Sequence, residues 1–558
     1  MTAEPRNDSP ESVYAGAMPT HEGAVNIELR GMAPIPLSNR YGRLHRQFTI
    51  WFTPNLVPAG FFIGSLGTAS FVGVGFGLGV VAIVVGTLLG GLLVAALGTW
   101  GPHTGVGQIP LARLPFGRSV VLPGILQWLS TIAWDALNAI FGAEAIHLLI
   151  HVPFWIGLLI VLVLQGVLGL FGYEWMHTFE KWMSIVLGIM FVIITVKIAA
   201  VGNFHAAATA HGADLVGGFI LMVTLAASFA IPWGVYASDY SRYLKPSTSR
   251  AGIFWLSLAG VAISSIWVEI LGLAASSLVP EATSAGISKL LGGGALGGMA
   301  MVAIWIGTVA VNAVNDYSGS LALQATGARI KRPYIAVIVT VLAFFLTLYL
   351  NTGDLATKFE NVLLFITYWI PPFAAVQIVH WMRHRGRLDL THLLDIRELG
   401  YGWDALVAMV VGFAAAIPFM DTSLYVGPAA SSWLHGGDIA FYVGFVVGGV
   451  LYWLLQIGRP VGVLAAEPAR ALSPMAGVVL AADGSTPDLA ALGSVDQPVV
   501  GSVDQPTGSA AHVGDGQADG ADESRHTAPT SGELRGPSSA KGEPAGTTSH
   551  RHEHRAQR

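Results

Sequence analysis

The chain has 558 residues, 53% of them hydrophobic and 11% charged, where an ordinary soluble domain carries about 25% charged side chains; that balance argues against a soluble globular protein and for one that lives in lipid. Cysteine is absent, which rules out disulfides and thiolate metal sites. The net charge of -5 provides no basic face for a nucleic acid.

The first 45 residues are polar, interrupted by Pro, Gly and Arg, and lack the compact apolar core and cleavage site of a secretory signal. Residues 1–45 therefore read as an unprocessed cytoplasmic tail. A helix needs about 20 apolar residues to cross about 30 Å of hydrocarbon. Twelve such segments follow, near 50–77, 79–99, 121–149, 152–172, 183–201, 215–237, 253–278, 295–323, 333–351, 359–381, 404–420 and 438–457. The expected fold class is an all-α integral membrane protein with twelve transmembrane helices over 46–458. If the amino terminus is inside, the inner loops hold Arg113, Arg118, Lys181, Arg242, Lys245, Arg250, Arg329, Lys331, Arg332, Arg383, Arg385, Arg387 and Arg397. The outer loops hold only Lys289 and Lys358. The positive-inside rule then places a multi-pass protein in the cytoplasmic membrane with both termini cytoplasmic. After residue 459 the chain turns to Gly, Ser, Pro, Ala, Asp and His and repeats GSVDQP at 493 and 501. Residues 459–558 cannot bury enough apolar area to offset ordering and read as a disordered cytoplasmic tail. Its terminal HRHEHR reads as a solvated charged end rather than a metal site.

Two spans contain residues that break helices. The first reads TPNLVPAGFFIGSLG, with Asn55, Pro58, Gly60 and Gly64; the sixth reads ASFAIPWGVYAS, with Pro232 and Gly234. Proline removes a backbone donor and glycine eases unwinding, and freed backbone groups survive in a bilayer only against protein or a wet cavity. Breaks five spans apart point to inverted repeats, about 50–201 and 215–381, with 404–457 as two peripheral helices. Pro58 and Phe61, at the first break, are candidates for gating.

Polar side chains concentrate on three spans. Thr308, Asn312 and Asn315 share one face of the eighth, with Asp316 at its margin and Gly319 continuing the stripe. Trp134 and Asn138 lie four apart on the third, with Asp135 adjacent, and Trp233 follows Pro232 at the sixth span's break. Each taken alone has a plain structural reading, since Asn joins membrane helices and Trp packs or anchors at interfaces. Together they suit a planar heterocycle, with indole faces to stack on it and carboxamides to meet its edge. Ionisable residues inside spans are functional candidates; here they are Asp135, Glu144, Glu269, Asp316 and Lys197, with Asp316 the first choice for carrying a proton. Lys197 offers an ammonium in place of a missing cation, or else snorkels to the surface.

These residues resemble the nucleobase:cation symporter family, in its purine and cytosine permease branch. The likeness runs over about 39–457 and includes GPHTGVGQ (101–108), RLPFG (113–117), the W-x-x-x-N of Trp134 and Asn138, FGYEWMHTFE (171–180), SDYSRYL (238–244) and NDYSGSLALQATG (315–327). The resemblance implies a leucine-transporter-like five-plus-five inverted repeat with broken first and sixth helices. It implies substrate between Trp134 and Trp233, polar contacts from Asn138 and Asn315, and support from Asn312. It also makes Glu180, before the fifth span, a gating candidate, with a solvated helix-end carboxylate as the alternative. Sodium-coupled relatives carry small hydroxyl residues where this chain has Val309 and Ala310. Thr308 alone is a poor oxygen cage for a hard cation, so a proton is the favoured coupling ion and sodium the alternative. The expected function is secondary active import of a purine or cytosine by alternating access, with a hydantoin, allantoin or vitamin as the next substrate class. No catalytic motif such as H-E-x-x-H or G-x-S-x-G occurs, and a passive channel would not need matched breaks. No cofactor, metal, nucleic acid or obligate protein partner is expected beyond the small-molecule substrate and the bilayer.

Overall fold

The computed structural model describes residues 32–459, apart from 171–172, 280–281, 331, 386–387, 389 and 391–392. Seven of its helices are long and apolar enough to cross a membrane, and four shorter apolar ones run over Phe154–Gly169, Tyr334–Leu350, Trp403–Phe419 and Ala440–Leu455. With the first span, which is broken into Arg46–Phe52 and Pro58–Ser65, the set is consistent with twelve crossings.

The breaks follow the local sequence. Between the halves of the first span lie a 3-10 turn at Thr53–Asn55 and an extended Val57 (φ -129, ψ 153), after which Pro58 restarts the helix at its first position, where a missing N–H is harmless. The sixth span is α-helical over Gly212–Ala230, tightens to 3-10 over Ile231–Tyr236 around Pro232, and resumes at Ala237–Ser241. The tenth is also divided, into Leu355–Thr367 and Ile370–Arg383. Sequence reading took it as continuous; Pro371 and Pro372 remove two successive donors and end the first segment just before them.

Lipid supplies no hydrophobic force between helices, so they associate through close packing of small residues. The third span (Val121–Ile150) lies along the eighth (Gly294–Ala325), with Gly142 against Thr308 and Gly319 against Thr131. Gly319 thus makes room for a neighbouring helix. The second span (Gly75–Gly98) crosses the sixth through Gly86 and Gly90, where added Cβ atoms would come within 2.1 Å of the Val223 carbonyl oxygen and 2.7 Å of the Ala230 side chain. The first span crosses the seventh (Arg250–Ala275) through Gly64 and Gly272.

One further expectation is refined and another adjusted. The fifth helix runs over Tyr173–Val201 and its membrane-crossing stretch begins at Lys181, so Glu180 precedes that stretch as expected, but on the same continuous helix. Part of the expected 1–45 tail is folded: Ile35 is fully buried, and buried Arg40 donates to the Ile35 and Pro102 carbonyls at 2.7 and 2.6 Å. Residues 1–31 and 460–558, including HRHEHR, lie outside the described part of the chain. A hairpin pairing Asp421–Thr422 with Tyr425–Val426 and a short helix Ser284–Leu290 carried no signal strong enough to read. The hairpin is docked by Asp438, which accepts from the Asp421 and Ala440 amides at 2.9 and 2.8 Å and from the Tyr368 hydroxyl of the tenth span.

Candidate functional site

A small cavity lies where the two broken spans face the third and eighth, lined by Pro54, Val57, Trp134, Asn138, Phe229, Pro232, Trp233, Tyr236, Val311 and Asn315. The structure therefore brings Trp134, Asn138, Trp233 and Asn315 to one place. All four are buried, none more than 7% exposed. Trp134 and Asn138 point the same way because they are one turn apart; Trp233 reaches the cavity because the 3-10 turn after Pro232 rotates the chain out of helical register.

The two indoles are held differently. Trp233 donates its Nε1 hydrogen to Asn55 Oδ1 at 2.9 Å, and Asn55 in turn donates to the Trp51 carbonyl at 2.6 Å. Residues freed by the first break thus fix the ring at the second, with the Trp51 and Tyr236 rings against it at centroid distances of 5.8 and 5.5 Å. Trp134 packs on Phe229 at 6.0 Å, and its Nε1 has no acceptor among the described residues. Trp233 offers a face; Trp134 offers a face and a donor.

The carboxamides are wired together. Asn138 Nδ2 donates to Asn312 Oδ1 at 3.1 Å, Asn312 Nδ2 to the Asp135 carbonyl at 3.1 Å and to Gln165 Oε1 at 2.7 Å, and Asn315 Nδ2 to Asp135 Oδ1 at 3.4 Å. Asn312 does not line the cavity but orients Asn138. The bonds given use one Nδ2 hydrogen on Asn138 and one on Asn315, leaving each a carbonyl oxygen and a second hydrogen for a ligand.

Other expected residues lie elsewhere. Thr308 is buried at the Gly142 contact, two turns from Asn315. Pro58 and Phe61 are buried in the core of the first span's second half and do not border the cavity. Lys197 is exposed on the fifth helix and does not reach the interior, because its position faces away from the bundle with Val196, which is 67% exposed. The Glu180 side chain lies outside the described part of the structure. Asp316 is half-buried, with its Cβ against Gly169 of the fourth span. Sequence reading missed Gln165, although a lone amide within FWIGLLIVLVLQGVLGL was signal enough. It treated Asn55 only as a helix breaker.

The motifs quoted from the sequence meet one another in the fold. Gln108 of GPHTGVGQ donates its backbone N–H to Asp239 Oδ1 at 2.8 Å and its side-chain amide to Gln377 at 2.7 Å, and it accepts from Ser238 at 2.7 Å. Arg242 donates to the Tyr317 hydroxyl at 2.6 Å, and the Tyr240 hydroxyl donates to the Val314 carbonyl at 3.0 Å. Asp239 and Arg242 are buried cross-ties from the end of the sixth span to other elements. Arg113 of RLPFG donates to the carbonyls of Ala325, Leu393 and Leu394 at 2.9, 2.7 and 3.0 Å, and burial lowers its pKa from the usual value while Asp395 opposes that shift.

All of these segments lie within the region that a known family matches. The sequence profile of the family described as "Permease for cytosine/purines, uracil, thiamine, allantoin" matches residues 34–448. The chain belongs to that family. Over 453 residues it is 29% identical to YxlA of Bacillus subtilis, covering 78% of this chain and 97% of the relative. It is likewise 29% identical over 461 residues to the purine-cytosine permease fcyB of Emericella nidulans, covering 77% and 89%. Its fold is shared with Mhp1, a nucleobase-cation-symport-1 family transporter whose structure was solved closed around bromovinylhydantoin. The TM-score is 0.63 and the identity 19%, with 78% of this chain and 95% of that one covered. The chain is thus a multi-pass membrane transporter with the leucine-transporter-like architecture anticipated from its sequence, in a family whose named relatives are permeases and not enzymes.

Proposed function

We propose that the chain imports a purine or cytosine across the cytoplasmic membrane by symport with a proton, alternating access between the two sides. The observation that carries the reading is the cavity at the paired breaks, where two indole faces, one unpartnered indole N–H and two carboxamides meet. A purine or cytosine ring has two flat faces and an edge of alternating donors and acceptors, and this lining matches both. The described body, continuing to about 458, forms the transport unit, with both termini and the Gln108 and Arg113 segments on the cytoplasmic side, as the loop charges favour. Val309 and Ala310 are buried apolar residues on the eighth span, which supports a proton over sodium.

The test is uptake of labelled hypoxanthine and cytosine in cells lacking their own carriers, across external pH and with sodium replaced by choline. Accumulation that survives choline and collapses with a protonophore is expected. Accumulation that requires sodium, or competition by hydantoin or allantoin but by no nucleobase, would overturn the corresponding half of the proposal. Within the site, Trp134→Ala is expected to weaken binding by about 1–3 kcal/mol, the value of one stacked base. Trp134→Phe keeps a ring and loses less; equal affinities in a binding titration would remove Trp134 as a stacking plate.

A further inference from the structure

Behind the cavity wall lies a pair of acidic groups that substrate contact does not require. Asp135 is fully buried on the third span; one of its carboxyl oxygens has no hydrogen-bond partner among the described residues, and it lies beside the carboxyl of Asp316 on the eighth. Ionised carboxylates only accept hydrogen bonds, so two neighbouring carboxyl groups can bond to each other only when one of them carries a proton. Two negative charges side by side, one of them fully buried, repel strongly, so both ionise together only when water reaches the pair or the carboxylates move apart. The pair also touches the binding site directly: Asn315, which lines the cavity, donates to the same Asp135 carboxylate at 3.4 Å.

We propose that Asp135 and Asp316 together form a single proton site, and that its occupancy sets the orientation of Asn315 toward the substrate. This deepens the reading of proton-coupled transport and rests on it. When the cavity opens outward, one proton from water joins the two carboxylates, giving an O–H···O pair with one negative charge. Asp135 then presents a fixed acceptor to Asn315, whose remaining hydrogen and carbonyl oxygen face the cavity. When the cavity opens inward, the proton returns to water on that side, the carboxylates separate, and Asn315 loses its anchor. One proton crosses per cycle.

Asp316, half-buried beside Gly169, is the member nearer to solvent, and Asp135 the member nearer to substrate. Among the groups facing Asp135, Gln165 comes from the fourth span, Asn315 and Asp316 from the eighth, and the Tyr236 phenol from the sixth. Tyr236 has Asp239 as its other acidic neighbour and lies beside Thr131 and Gln127. On the ninth span, Thr347 reaches the Ala136 carbonyl next door at 3.4 Å. Asp316 also engages neighbours beyond the pair.

The test uses the full chain reconstituted in liposomes, with tryptophan fluorescence to follow hypoxanthine binding and a pH-sensitive dye to follow protons. The wild type should bind more weakly as pH rises and take up protons when hypoxanthine is added. Asp316→Asn replaces the shared O–H by an N–H donor and keeps one negative charge, so binding should lose its pH dependence, and proton uptake and gradient-driven accumulation should both be lost. Asp135→Asn should lose the same two signals, and Asp316→Glu, which restores a carboxyl, should regain them. If Asp135→Asn fails to fold, the Asp316 variants decide the matter. An Asp316→Asn protein that keeps the wild-type pH dependence and proton uptake overturns the shared site while leaving proton coupling intact. A wild type that takes up no protons and accumulates only on a sodium gradient overturns the coupling reading, and the pair with it.

Discussion

Replacing Asn315 by Ala is expected to abolish nucleobase uptake while leaving the protein in the membrane. Asn315 contributes a donor and an acceptor at the cavity wall and one hydrogen to Asp135. Alanine removes the first two and leaves a buried carboxylate short of a partner, at about 1–3 kcal/mol for each group so orphaned. Two such losses amount to about two to four orders of magnitude in affinity. The fold should survive, because the eighth span packs through Gly319, Thr308 and Tyr317, none of which depends on the Asn315 side chain. Uptake measured beside membrane abundance settles it: normal abundance with wild-type transport would place the substrate elsewhere.

The second large effect concerns stability. A Cβ at Gly64 would lie 1.8 Å from the Glu269 carbonyl oxygen, and one at Gly272 would lie 1.8 Å from that of Phe61. Both obstacles are backbone, so no side chain can swing aside; the helices must part by more than an ångström along the whole crossing. Overpacking of this kind costs typically about 1–3 kcal/mol and sometimes more, and here each residue clashes with the other's helix. Gly64→Ala and Gly272→Ala are each expected to lower the thermal midpoint of the detergent-solubilised protein and its yield. The double variant should be no worse than the sum of the two, since one separation relieves both clashes. Midpoints equal to wild type would show that the helices are not in backbone contact.

The legible part of the molecule was the part written in hydrophobic length and in proline. Spans emerged because about 20 apolar residues are needed to cross lipid, and the first and sixth breaks because Pro58 and Pro232 cannot donate. The third and eighth faces were readable from the spacing of Trp134, Asn138, Asn312 and Asn315. What stayed hidden depended on partners far away in sequence. Asn55 looked like a breaker until Trp233 was found 178 residues later at the other end of its hydrogen bond. Asp135 and Asp316 looked like separate candidates because nothing in either local pattern says that two helices bring them face to face. Lys197 kept two readings open because periodicity within one helix cannot tell which side meets lipid when most positions are apolar.

The bond between Asn55 and Trp233 has a mechanical meaning. It ties the loosened centre of one interrupted helix to the loosened centre of the other, so neither can rewind, twist or tilt without dragging the aromatic floor of the cavity along. A solute resting on that floor therefore feels both hinges through a single strut, and any movement that admits water from one side reaches it as a change in the surface beneath it.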